Sequence, residues 1–136
     1  MVTGIRSWDK TIHKSKQWVN QVKDELRWDN DEHAYLATRA VLQTLRDRLT
    51  VEEAVHFAQE LPMFIKGFYY AAYIPSNKPD KMDKEDFLNI VGERMTNQDY
   101  DPKTVSDAVF AVVKKKISDG EIKDIYSVLP QDVIEI

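Results

Sequence analysis

The sequence predicts an all-α protein, because its apolar residues recur at helical spacing, few residues interrupt helices, and one pattern occurs twice. Only four glycines and five prolines are found among the 136 residues. Steps of three and four between apolar side chains place them on one face of a helix, and few segments alternate with the strand period of two. We therefore expect a helical bundle that forms a single domain over residues 1–136.

Four helices are predicted in the first half of the chain. The apolar face of the first, which includes one polar residue, consists of Trp8, Ile12, Ser15, Val19, Val22 and Leu26. The second is also long and carries Ala37, Val41, Leu42, Leu45 and Leu49, and a shorter third carries Ala54, Phe57, Ala58 and Leu61. Pro62 suits the first turn of a fourth helix, where the missing N–H of proline is not needed. That helix would carry Ile65, Phe68, Tyr69 and Tyr73.

A proline-containing linker over residues 74–82 separates these helices from a second set. Asp83 can cap a helix that carries Phe87, Leu88, Val91 and Met95. Asp101 followed by Pro102 is typical of a helix start, and the helix that it opens carries Val105, Val109 and Val113. The pattern continues with Ile122, Ile125 and Leu129, and Pro130 would start a last helical turn.

The two sets are diverged copies of one unit, over residues 15–73 and 83–136. At an offset of 68 residues, Ala40-Val41 matches Ala108-Val109 and Leu61-Pro62 matches Leu129-Pro130. Such self-similarity is the sequence signature of a duplicated structural unit. We expect two tandem four-helix units that pack face to face with a pseudo-twofold relation.

Equivalent turns of the two copies also share their capping chemistry. Thr50 is followed three residues later by Glu53, and Ser118 is followed by Glu121. In such a capping box the hydroxyl accepts from the N–H three residues on, and the Glu accepts from the N–H of the cap residue. Both turns are therefore predicted to begin a short helix.

Several segments resemble the prokaryotic domain of unknown function 2267 family. In the first copy they are AVLQTLRDRL (40–49), EA (53–54), QELP (59–62) and KGFYY (66–70). In the second they are EDFL (85–88), AVFAV (108–112) and ISDGE (117–121). The resemblance runs from about residue 18 to residue 136, and Tyr73 stands where its pattern leads us to expect tryptophan. It implies a helical, duplicated prokaryotic protein of unknown function, and it implies no catalytic residue.

The composition argues against several classes of protein. The formal net charge is -4, whereas phosphate recognition relies on clustered Lys and Arg, so no nucleic-acid partner is expected. The absence of cysteine excludes disulfides and thiolate chemistry. No apolar run approaches the roughly 18 residues of a membrane span, and the N-terminus lacks the apolar core of a signal peptide. We expect a soluble, cytoplasmic protein without a membrane partner.

Three polar patterns have structural explanations that outweigh chemical ones. Glu53 and His56 have the spacing of a metal-binding helix pair, but the second copy has no histidine there, and Glu53 already serves a capping box. The acidic segments 29–33 and 97–101 lack the full ligand set of a calcium loop and suit helix N-termini instead. The basic run 114–116 suits a helix C-terminus. No catalytic residue, metal ligand or cofactor is therefore assigned.

An aromatic fourth helix of the first copy is the best functional lead in the sequence. It contains Phe64 and Phe68 together with Tyr69, Tyr70 and Tyr73, and the second copy has no full counterpart. Aromatic residues at steps of three and four are usually core residues. Tyrosine also anchors interfaces, since its ring is apolar and its hydroxyl polar. We take Tyr69, Tyr70 and Tyr73 as the candidate interface.

These patterns favour a non-enzymatic module that binds another protein or itself. The alternative is a small-molecule binder or an enzyme whose pocket lies between the two copies, lined by Tyr69, Tyr70 or Trp28. The sequence contains no reactive constellation, which favours the first hypothesis, although catalytic groups can also converge from distant segments. His13 and His33 have no evident partner in the sequence and are expected at the surface.

Overall fold

The computed structural model of the chain describes residues 3–95, 100–117, 120 and 123. These residues form six α-helices and no strand: α1 (Arg6–Leu26), α2 (Asp31–Arg48), α3 (Val51–Ala58), α4 (Met63–Tyr70), α5 (Lys84–Arg94) and α6 (Pro102–Lys116). The all-α prediction is therefore confirmed. None of these six helices combines the length and the apolar character that crossing a membrane requires. The last predicted helices, with Ile122, Ile125, Leu129 and Pro130, fall outside the described residues.

The short helix α3 begins at the capping box that the sequence predicts. The N–H of Glu53 donates to Oγ1 of Thr50 at 3.2 Å, and the N–H of Thr50 donates to Oε1 of Glu53 at 2.9 Å. Two N–H groups that the helix leaves without a partner are thereby satisfied. The second predicted box, at Ser118, falls outside the described residues. Pro62 directly precedes α4 as its N-cap residue rather than lying within the first turn.

Side-chain caps also begin α2, α5 and α6. Asn30 caps α2, and Asp83 forms a capping box with Asp86 at the start of α5. Asp101 accepts from the first N–H groups of α6, directly before Pro102. Carboxylates at these positions also interact favourably with the positive end of the helix dipole. The predicted starts of α5 and α6 are thus confirmed.

Helix α2 lies at the centre of the molecule and contacts the other five helices. Its buried apolar face consists of Ala37, Ala40, Val41, Leu42, Leu45 and Leu49. Side chains from the neighbouring helices complete the core, among them Trp18, Val22, Phe87, Val91, Val109 and Val113. Each large apolar side chain that is fully buried stabilises the fold by about 1.5–3 kcal/mol. The predicted apolar faces therefore form one core.

The first turns of α1 depart from this pattern. Trp8 lies on the predicted apolar face, but 54% of its surface is exposed, whereas Trp18 on the same helix is 3% exposed. Helix α1 packs against the long helices α2 and α6 and against the eight-residue helix α4, which meets Thr11 in the N-terminal half of α1. A helix of that length is only about 12 Å long, so it covers the side of α1 incompletely.

Arg46 on α2 caps the end of α4. Its Nη1 donates to the carbonyl oxygens of Tyr69 at 2.6 Å and Ala71 at 2.8 Å. The last carbonyl groups of a helix have no N–H partner within it, so a buried guanidinium satisfies them. Arg46 is only 4% exposed, and this contact fixes the direction in which the chain leaves α4.

Asp47 holds the linker and α5 against α2. Its carboxylate accepts from Nε of Arg46 at 3.2 Å and from Nη2 of Arg94 at 2.6 Å, and Nζ of Lys78 lies 3.6 Å away. Its backbone carbonyl accepts from the N–H of Asp80 at 2.7 Å. The Asp47 side chain is 6% exposed, so these interactions are shielded from water. The segment predicted as a linker is thus anchored by buried charges.

Candidate functional site

The three tyrosines of the predicted interface differ in their exposure. Tyr69 is completely buried, and its hydroxyl donates to the carbonyl of Ala54 at 2.8 Å. Tyr70 is half-buried and packs edge-on against Tyr69. Tyr73 is half-buried too, and burial raises the pKa of all three hydroxyls. Their use as an interface stays a prediction, in which Tyr69 can act only as support for Tyr70.

The other predicted polar groups have structural partners or are solvated. The carboxylate of Glu53 is engaged in its capping box, and His56 is exposed. Lys115, at the C-terminal end of α6, forms an ion pair with Glu25 at 2.7 Å. Among the residues that the structure describes, no group of three or more His, Asp or Glu side chains is placed to hold a metal ion.

His33 is less exposed than the sequence predicts, whereas His13 is exposed as predicted. The side chain of His33 is half-buried, and Nδ1 lies 2.8 Å from the hydroxyl of Tyr100. The ring of Tyr100 packs against Trp28 with centroids 4.0 Å apart. The partner of His33 lies 67 residues away in sequence, so local spacing could not identify it. Trp28, proposed above as a lining residue of a pocket between the copies, is half-buried and packs against Tyr100.

A patch of exposed apolar side chains lies where α1 meets α4. Trp8 is 54% exposed, Met63 69% and Phe64 58%. Together with neighbouring side chains they line a concave surface with a volume of about 520 Å³. Its aromatic and aliphatic lining residues are Trp8, Ile12, Tyr35, Met63, Phe64 and Phe68. We call this surface the α1–α4 groove.

The groove continues toward the start of α2. A second concavity of about 260 Å³ shares Ile12, Tyr35, Phe64 and Phe68 with the first, and it reaches Ser15, Val19 and the charged residues Lys16, Asp31 and Glu32. Oγ of Ser15 is buried and forms no hydrogen bond within the part of the chain that the structure describes. The α1–α4 groove is therefore apolar along its length and becomes charged at one end.

Contacts across the helices hold the walls of the groove in place. The N–H of Phe64 donates to Oγ1 of Thr11 at 3.1 Å, which supplies α4 with a cap from α1 in place of one from Pro62. Tyr35 packs edge-to-face against Phe68 with centroids 5.3 Å apart. Edge-to-face pairs of this kind contribute about 0.5–1.5 kcal/mol beyond their buried area. The groove is thus preformed by the fold.

Gly67 forms part of the groove surface and is not required by the fold. It lies in the middle of α4, it is exposed, and a Cβ atom added to it would meet no atom within 4 Å. Glycine inside a helix is less stable than alanine by roughly 0.5–1 kcal/mol. The position therefore carries a destabilising residue whose one local effect is to leave the groove open.

The charged end of the groove contains one unpaired carboxylate. Asp31 accepts from Nζ of Lys16 at 2.6 Å and from Nζ of Lys23 at 2.8 Å, so both of its oxygens are occupied. These hydrogen bonds, that of Lys16 first, lower the pKa of Asp31 to about 2. Glu32 is exposed and forms no ion pair with any described residue.

Arg39 lies two turns after Glu32 on the same face of α2. Its guanidinium lies 5.4 Å from the centroid of the Tyr35 ring, and it forms no ion pair among the described residues. Residues at steps of three and seven share one helical face, so Glu32, Tyr35 and Arg39 lie on the same face of α2. Glu32 and Tyr35 line the groove and Arg39 borders it beside Tyr35, so an acidic and a basic residue lie about two turns apart on its α2 side.

Sequence reasoning missed this groove, although one signal was present. The sequence places Trp8 and Ile12 on the apolar face of α1 together with the residues that pack in the core. The predicted repeat, however, pairs residues of the first helix only from Trp18 onward, so it gives these two side chains no counterpart. The signal was therefore an apolar face that extends beyond the predicted repeat.

Comparison with known proteins identifies the chain at the level of its family. A family model described as an uncharacterized conserved protein (DUF2267) matches residues 15–136. No curated protein matches the sequence. The matched part includes α4 and all of α2, whereas the turns of α1 that carry Trp8, Thr11 and Ile12 precede it.

Proposed function

The chain belongs to the DUF2267 family, and we propose that it is a non-enzymatic module that binds a helical segment of another protein in the α1–α4 groove. The observation that carries this proposal is the exposed apolar surface formed by Trp8, Met63 and Phe64, since all three line one preformed groove. Large exposed apolar patches mark interaction sites more often than isolated apolar residues do.

The size of the patch favours a narrow partner. Three large apolar side chains, each about half exposed, offer together about 300–400 Å². Each side of a standard protein–protein interface buries about 800 Å². A broad globular partner would therefore need to make most of its contact area outside the groove. The apolar face of one helix, in contrast, fits a groove between two helices.

Gly67 supports the same proposal. A partner helix approaches most closely where the groove wall has no side chain, and Gly67 provides such a place on α4. Met63 and Phe64, one turn before Gly67 on α4, would then contact the partner beside its closest approach. This arrangement gives a physical reason for a residue that weakens α4 by itself.

Filling the groove tests the proposal. Gly67→Leu adds a side chain where the structure has open space, so the fold should be retained, which circular dichroism would verify. Val55→Leu on α3, at an exposed position outside the groove, is the matched control. The wild type and the control should capture the same proteins from host lysate. Gly67→Leu should capture at least about tenfold less of them. Equal capture by all three folded proteins would refute groove binding.

We also propose that the units 15–73 and 83–136 are related by a pseudo-twofold axis within one domain. Such an axis would relate α1 to α5 and α2 to α6. It would therefore turn the contact between α1 and α6 into the contact between α5 and α2, and both contacts are present. The pairs α1–α2 and α5–α6 also pack together in the same order. An experimental structure in which α1–α2 fails to superpose on α5–α6 would contradict this.

Self-association through Tyr70 and Tyr73, at and after the end of α4, is a separate proposal. Tyr70 and Tyr73 are half-buried, so part of each ring is available for contact. Light scattering of the wild type, Tyr70→Ser and Phe64→Ser would separate the two surfaces. A dimer that is lost only with Tyr70→Ser supports association through the tyrosines. A monomeric wild type would refute self-association.

A further inference from the structure

We infer that the partner is an amphipathic helix whose apolar residues are flanked by one basic and one acidic residue about two turns apart, the basic one facing Glu32 and the acidic one facing Arg39. This inference rests on the proposed function of the α1–α4 groove. It adds the charge pattern of the partner.

The charges along the α2 side of the groove carry the inference. Each carboxylate oxygen of Asp31 already accepts from a lysine, one from Lys16 and the other from Lys23, so its charge is neutralised within the chain. Glu32 and Arg39 have no ion-pair partner among the described residues, and Arg39 contacts the ring of Tyr35 instead. A partner from outside the chain can pair with both.

The spacing of these charges selects a helix. Seven residues on α2 correspond to about 10.5 Å along the helix axis. Two charged residues seven positions apart on a partner helix have the same separation, and apolar residues three and four positions along would lie between them over Phe64 and Phe68. Pairing is complementary in one direction of the partner, because reversing it brings like charges together.

A second copy of the chain fits this pattern less well than a single helix does. A twofold dimer places the same surface on both sides, and the exposed apolar area of the groove is below what each side of a standard interface buries. The rim carries both signs of charge and is not suited to a strongly acidic or strongly basic surface. Self-association is therefore an alternative outcome that light scattering would reveal.

Three synthetic helical peptides of about 16 residues test the inference. They share leucines on one apolar face and differ only at two positions seven residues apart, which carry Lys and Glu, Glu and Lys, or Gln and Gln. Fluorescence anisotropy would measure their binding to the full chain, to Glu32→Arg/Arg39→Glu, and to Glu52→Arg. Glu52 occupies the second position of α3, as Glu32 does in α2, so this control reproduces the helix-end effect of the charge change.

We expect the wild type and the control to bind one of the two charged peptides about fivefold more tightly than the other, with the Gln peptide between them. The doubly substituted protein should reverse this order. Raising the ionic strength should reduce the difference, since exposed charges are screened.

The outcomes separate the inference from the proposed function. Equal binding of all three peptides to the wild type, abolished by Gly67→Leu, would overturn the charge pattern and leave groove binding intact. Preference for one charged peptide that persists unchanged in Glu32→Arg/Arg39→Glu would also overturn it. Absence of binding by every peptide to the folded wild type would count against both proposals.

Discussion

Substitution of Asp47 by Asn should destabilise the protein more than almost any other change to a polar residue. The side chains differ little in shape, so the substitution removes the charge and leaves the packing in place. In the structure this carboxylate lies within 3.6 Å of three cations, on Arg46, Lys78 and Arg94. Without the carboxylate, the two least exposed of these cations, Arg46 and Lys78, lose their shared counter-ion.

The expected magnitude follows from burial. The side chains of Asp47, Arg46 and Lys78 are 6%, 5% and 8% exposed. Removing one partner of a buried ion pair costs about 3–5 kcal/mol, because the remaining charge stays buried without compensation. The carbonyl contacts of Arg46 and the carboxylate of Asp80 remain and limit the loss. We expect about 3 kcal/mol, a large share of the 5–15 kcal/mol that stabilises a typical domain.

Urea unfolding followed by tryptophan fluorescence and circular dichroism measures this loss. Asp107→Asn is the control, because its carboxylate forms a half-exposed ion pair with Lys103 and should cost less than about 1 kcal/mol. In a double-mutant cycle, Asp47→Asn and Arg94→Gln should couple by more than about 0.5 kcal/mol. A loss below about 1 kcal/mol for Asp47→Asn, with an unchanged dependence of the unfolding free energy on urea concentration, would refute the argument from buried charge.

Four further substitutions should have smaller effects. Thr50→Ala should cost about 1 kcal/mol in urea melts, and the sequence predicts the same cost for Ser118→Ala; a change indistinguishable from zero in both variants would show that the capping boxes are misplaced. Asp31 has a folded-state pKa of about 2, below the ordinary 3.8. Its ion pairs therefore stabilise the fold above about pH 4 and are lost as the pH falls toward 2, so the difference from Asp31→Asn should vanish over that range. Ser15→Ala should leave stability unchanged or raise it, and a loss above about 1 kcal/mol would indicate a hydrogen-bond partner for the hydroxyl.

Much of the helical framework could be predicted because its signals are local. The apolar face of α2 follows from spacing alone, and the cap at Thr50 follows from two residue types three positions apart. Asp101 and Pro102 define the start of α6 in the same way. Each of these features depends on residues within one or two turns of each other, so the sequence contains all the information they require.

The buried charges and the groove could not be predicted because they depend on packing between distant residues. Arg46 lies near the C-terminus of α2, where a cation would ordinarily be solvated and favourable to the helix dipole. The end of α4 comes within 2.6 Å of it only because α4 folds back along α2. In the same way, Trp8 and Phe64 line one groove although 56 positions separate them in the sequence. Spacing within one helix gives no information on such contacts.

The family match covers only part of the groove. Met63, Phe64 and Gly67 lie within the matched residues 15–136, whereas Trp8 and Thr11 precede them. The core formed by α2 and its neighbours does not use the exposed ring of Trp8. The proposed binding surface and the core therefore use different parts of α1. Substitutions at Trp8 should weaken a partner's binding while the packing around Trp18 and Val22 stays intact.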